Sequence, residues 1–164
     1  MWLKMYMRVT GKDQGAIVGD CAQEGRQKMI LCYGMAHDLE LARDARGGLP
    51  AASAVHHPFT VTTHPGVHTP GIIRACCTAE PLEIEIRAYR VNRMGEEEPY
   101  LTIRLNNAVV ADNRIRHREV QLEEHRAWEH VEDISFTYQT LTCLSEITKV
   151  ETRQSWTGGL PSSP

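Results

Sequence analysis

Between Val55 and Val110 the spacing of apolar positions changes period, and that change outlines the architecture. His57-Pro58-Phe59-Thr60-Val61 reads as a strand. Thr69-Pro70 then opens a helix, with Thr as N-cap and Pro at the first helical position. Glu80-Pro81 closes it, because a residue preceding proline is driven out of the helical region. Ile72, Ile73, Cys76 and Cys77 fall three to five positions apart, which predicts one shared face packed on a sheet. From Leu82 the period becomes two: Leu82, Ile84, Ile86 and Ala88 alternate with Glu83, Glu85, Arg87 and Tyr89, the pattern of a half-buried strand. The turn Asn92-Arg93-Met94-Gly95 returns the chain through Tyr100-Leu101-Thr102-Ile103-Arg104-Leu105, which alternates again, so the two runs form a hairpin.

The rest of the chain carries the same signal more weakly. Met5 to Val9 reads as an opening strand closed by a turn over Thr10 to Gly15. Met29 to Met35 is more continuously apolar, which suits a strand buried on both faces or bent near Gly34. Asn106 to Ile115 continues as strand with an irregularity at Asn106-Asn107, Val131 to Cys143 regains strand character, and Glu146 to Trp156 supplies a last strand. Arg116 to Trp128 is so charged that it reads as a solvated connection. Between Leu41 and Val55 the periodicity disappears into polar, then Gly/Pro-rich, then small residues; a loop this long is usually functional or disordered. About eight strands, one short helix and Gly/Pro turns describe a mainly β protein, a sandwich or closed barrel rather than a doubly wound α/β fold. Residues 1–156 are expected to form a single domain, and residues 157–164 a disordered tail.

Composition narrows the functional classes. A formal net charge of -3 leaves no basic footprint for nucleic acid. Cys21, Cys32, Cys76, Cys77 and Cys143 are odd in number and lack Cys-x-x-Cys spacing, so folding in a reducing compartment is the simpler reading. Charges interrupt the apolar start before a signal-peptide core can form, and there is no uninterrupted apolar run of about 20 residues, so neither a signal peptide nor membrane insertion is expected.

Candidate chemistry is thin. His56, His57, His64 and His68 are close in sequence, but adjacent strand residues point to opposite faces, and Pro58 and Pro65 break the geometry that would let the others converge on a metal. They read as solvated or turn histidines, although imidazoles titrate near neutrality. Cys76-Cys77 lies late in the helix, away from a thiolate-stabilising N-terminus, and reads as small buried structure. Glu96-Glu97-Glu98 and Glu123-Glu124 read as solvated charge. No Gly-x-Ser-x-Gly elbow, phosphate loop or His-Glu-x-x-His helix occurs. The expectation is a non-enzyme with no catalytic, cofactor or metal site.

Tyr6-Met7-Arg8-Val9 with its Gly11 turn, Val55-His56-His57-Pro58-Phe59-Thr60 leading to Thr69-Pro70, Leu82 to Arg90, Tyr100 to Val110 and His130 to Tyr138 occur in a specific order. In that order and spacing the chain resembles the haemolysin-coregulated protein (Hcp) family, the tube component of the bacterial type VI secretion machine. Three places depart from the family pattern: Ala88 stands where an aromatic is common, Cys143 where a Trp is common, and His64-Pro65-Gly66-Val67-His68 replaces a charged, serine-containing approach to the helix.

The resemblance implies a β-barrel of two antiparallel sheets with one short flanking α-helix, assembling as a hexameric ring with a central channel. Rings would stack into a tube inside a contractile sheath, tipped by a spike protein and carrying effector cargo. Assembly would occur in the bacterial cytoplasm, followed by secretion through the machine without a signal peptide. The long loop would be the ring-stacking element, through Arg43, Asp44, Arg46, Gly47, Gly48 and Leu49. Two other functions are set beside this one: an effector-specific carrier or adaptor on the same barrel, and a metal-dependent hydrolase effector using the histidine segment.

Overall fold

A computed structural model describes residues 3–117 and 130–157. Its strands are β1 (Lys4–Gly11), β2 (Gly15–Ile17), β3 (Ile30–Ala36), β4 (Leu39–Arg43), β5 (Pro50–His56), β6 (Phe59–Thr63), β7 (Leu82–Val91), β8 (Glu97–His117), β9 (His130–Thr137), β10 (Thr140–Ser145) and β11 (Glu151–Ser155), with one helix, α1 (Thr69–Thr78). The expected solvated connection keeps only Arg116 and His117, as the end of β8; its remainder, and the tail after Thr157, lie outside the described residues.

The sheet closes on itself. Antiparallel pairing runs β8-β7-β1-β3-β6-β9, and β9 returns to β8. Closure depends on the length of β8. Its first part pairs with β7 and, on the other side, with β10; beyond Asn107 it pairs with β9 from Val109↔Thr137 to His117↔His130. Asn107 has φ 49, so the irregularity expected at Asn106-Asn107 is the bend where β8 changes partners. β10 and β11 extend the sheet beyond the barrel, β2 pairs with β1, and β4 and β5 form a separate two-stranded sheet.

Alternation drives the closure. Leu82, Ile84 and Ile86 point inward to meet Met7, Val9, Val61, Leu105, Ile134, Phe59 and Phe136 in one core, Ala88 is buried on the same strand, and this filling leaves the subunit a packed solid rather than a pore. Tyr89, on the outer face of β7, is buried as well. It meets Tyr6 edge-on at 5.6 Å, while the Arg26 guanidinium lies 3.7 Å from its ring centre. β3 is bent rather than buried on both faces: its register shifts between Cys32 and Gly34, and Tyr33 and Met35 are exposed.

The helix differs in detail from its sequence pattern. His68, not Thr69, occupies the N-cap position and makes no side-chain cap. The Thr69 hydroxyl instead accepts from the Gly66 N–H and donates to Glu132. Ile72 and Ala75 are fully buried and Cys76 partly so, whereas Ile73 and Cys77 face outward, because neighbouring helical positions lie about 100° apart. Gly11 has a specific reason. A Cβ there would stand 2.5 Å from the buried Glu80 carboxylate. That carboxylate accepts from the N–H groups of Asp13 and Gln14 and from Gln14 Nε2. Burial alone would raise its pKa, but these hydrogen bonds together hold it below the ordinary value.

Candidate assembly site

The stretch from Leu41 to Val55, without periodicity in the sequence, is ordered as the β4–β5 hairpin. Leu39↔His56, Glu40↔Val55, Leu41↔Ala54 and Arg43↔Pro50 are opposed, with a shift in register between Leu41 and Arg43. At the tip the Asp44 N–H donates to the Leu49 carbonyl and the Gly48 N–H to the Asp44 carbonyl. The Asp44 carboxylate accepts from the Arg46 N–H, the local turn chemistry of aspartate. Gly48 takes φ +66, a conformation that glycine adopts without penalty. Arg43, Asp44, Arg46, Gly47, Gly48 and Leu49 are thus brought together, all exposed, with Leu49 70 % accessible.

Apart from His56 at its base, every described side chain of the hairpin is exposed. Leu39 and Leu41 are exposed on one side and Val55 on the other, whereas each barrel strand buries at least its inward side. Glu40, on the Val55 side, meets His57 at 3.3 Å. A groove of about 520 Å³ opens beneath the hairpin base, lined by Met35, Leu39, Phe59, Ile103, Leu141 and Cys143.

A junction of aromatic rings fixes that base. The Tyr138 hydroxyl lies 2.8 Å from His37 Nε2 and 2.7 Å from His56 Nδ1, while Trp156 packs edge-on to Tyr138 at 4.9 Å. His37 precedes β4 and His56 ends β5, so one hydroxyl ties both ends of the hairpin to the barrel. A backbone bond from the His57 N–H to the Asp38 carbonyl joins the two ends of the hairpin to each other. Burial lowers the pKa of both imidazoles and pushes the phenol up to about 12.

The remaining histidines do not meet at one point. His64 bonds the His130 carbonyl and packs at a tilt against Tyr33, and His68 is buried 3.1 Å from the buried Glu132 carboxylate. His56 and His68 are therefore interior hydrogen-bonding groups, not the solvated residues their neighbourhood suggested. Among the described residues no three His, Cys, Asp or Glu side chains are grouped to hold a metal. Cys77 is exposed rather than buried.

Glu97 is a further correction. It receives Arg26 at 2.7 Å and Lys4 at 3.0 Å, and these hydrogen bonds hold its pKa down to about 2. The polar partners of both clusters come from distant segments; His37 and Tyr138 are 101 positions apart, so no local spacing announces them.

A family model described as "Type VI secretion system effector, Hcp" matches residues 6–144. The chain is 29 % identical over 161 residues to the "Major exported protein" of Pseudomonas aeruginosa, covering 92 % of this chain and 94 % of that one. A crystal structure of an Hcp protein superposes with a TM-score of 0.88 at 18 % identity, over 96 % of this chain and 99 % of the other. The secreted protein Hcp3 from Pseudomonas aeruginosa follows at 0.77 and 25 % identity, over 94 % and 98 %. These likenesses favour neither the hydrolase nor the separate adaptor. The chain belongs to the Hcp family, the tube subunit of the type VI secretion system.

Proposed function

We propose that residues 1–156 act as one domain, that six copies close into a ring, and that rings stack end to end through the β4–β5 hairpin. The carrying observation is a hairpin whose described side chains beyond His56 are exposed on both faces, standing on a barrel whose interior is already filled. A filled barrel has no lumen, so a channel arises only between subunits. An isolated two-stranded hairpin is marginally stable in water, so a neighbouring surface is the natural complement of this one. Heterologous contacts that close give rings, and those that propagate give filaments. Each exposed ion pair made by Arg43, Asp44 or Arg46 is worth about 0–1 kcal/mol, and sixfold repetition makes such weak contacts sufficient.

In this reading the chain is structural rather than enzymatic. It assembles in the bacterial cytoplasm within a contractile sheath, behind a spike protein, and is secreted with effector cargo held in the channel. Size-exclusion chromatography with negative-stain microscopy of the purified chain tests it: rings are expected, and a strict monomer at high concentration contradicts it.

A further inference from the structure

The His37–Tyr138–His56 junction has a hydrogen count that matters. A phenol has one hydrogen to donate and lone pairs to accept. Both short contacts are satisfied when one imidazole offers an N–H to the Tyr138 oxygen and the other accepts the hydroxyl hydrogen. A proton added to that accepting nitrogen makes both imidazoles donors toward the same oxygen. The hydroxyl hydrogen then loses its acceptor, and a positive charge sits beside the Phe59, Tyr138 and Trp156 rings. The phenol is too weak an acid to relieve this by ionising.

The charged and titratable groups around the junction do not reverse that outcome. Asp38, from the β3–β4 turn, favours an imidazolium at His37, while His56 and His57 oppose it, and burial is the largest influence. Glu40 is engaged by His57. The groove beside His37 is otherwise lined by Phe59 from β6, Ile103 from β8, Leu141 and Cys143 from β10 and Thr152 and Gln154 from β11, none of them charged.

We propose that this junction is a proton-operated hinge: neutral imidazoles clamp both ends of the β4–β5 hairpin to the barrel, and uptake of one proton by the His37/His56 pair releases it and weakens ring stacking. The regulatory half of this statement rests on the reading that the hairpin stacks rings; the hinge itself does not. The sign follows from linkage. A base whose pKa is lowered in the clamped state favours that state above its ordinary value of about 6.5, and the advantage is lost as pH falls through the lowered value.

The test uses full-length chain carrying Trp2→Phe and Trp128→Phe, so that Trp156 reports alone, titrated between about pH 8 and about pH 5. Trp156 emission reads the junction, and pelleting of tubes reads stacking. Both are expected to change over one pH range below the ordinary histidine value, with a several-fold loss of pelleted tubes while far-UV circular dichroism stays constant. His37→Gln and His56→Gln, which bond without titrating, are expected to abolish or displace the emission transition and keep tubes assembled in acid. An emission profile independent of pH, or one unchanged in both Gln variants, overturns the hinge. A junction that titrates while pelleting stays constant overturns its coupling to stacking. Failure of the stacking reading shows separately, as tubes that persist at neutral pH when the hairpin tip is replaced.

Discussion

The β7–β8 ladder and the β4–β5 hairpin use the same antiparallel pairing, yet they differ in where their second partner comes from. β7 has β1 on its other edge and an inward face buried against Met7, Val9 and Leu105, so its surroundings are complete within the subunit. β4 and β5 pair only with each other, and Leu39, Leu41 and Val55 remain open to solvent. The difference separates two energetic roles. The barrel packs its own core, whereas the hairpin is held by a junction at its base and leaves Leu39, Leu41 and Val55 open.

Substitutions should divide along that line. Phe136→Ala, at a fully buried position, is expected to lower subunit stability by about 3–5 kcal/mol in denaturant unfolding and to abolish assembly only through unfolding. Gly11→Ala forces a methyl group against the Glu80 carboxylate and is expected to lower stability by about 1–3 kcal/mol, the scale of overpacking. If either change left the barrel intact but selectively removed tubes, the separation of roles would fail.

Acid sharpens the comparison at a smaller scale. The Glu97 pKa near 2 lies below the unfolded carboxylate value of about 4.3, so its contribution is present above that value and is lost as pH falls toward 2. Glu97→Gln is expected to flatten the pH dependence of unfolding over that acidic window.

The legibility of the sequence follows the same division. Strict alternation through Leu82–Ala88 and Tyr100–Leu105 was sufficient to read the barrel wall, because inward positions are apolar and outward ones polar. The hairpin leaves no such trace: beyond its base the described side chains on both faces are exposed, so no inward side imposes a period. Its strand pairing therefore carries no periodic signal in the sequence. His56 and His68 are buried where their neighbourhood suggests solvent, for a related reason. Their burial depends on partners far along the chain, and a polar residue carries no local mark of the interior until those partners are known.

The smallest intramolecular effect is expected at the hairpin tip. Arg43→Ala and Arg46→Ala should leave unfolding within about 0.5 kcal/mol of the parent, as exposed substitutions generally do, while reducing the yield of pelleted tubes. The most direct measurement replaces residues 43–46 with a short Gly/Ser linker and images the purified protein by negative-stain microscopy. Rings of undiminished number with tubes absent are the expected result if, as proposed, ring closure belongs to the barrel and stacking to the hairpin. Tubes of normal length and abundance would contradict the assignment of stacking to the hairpin.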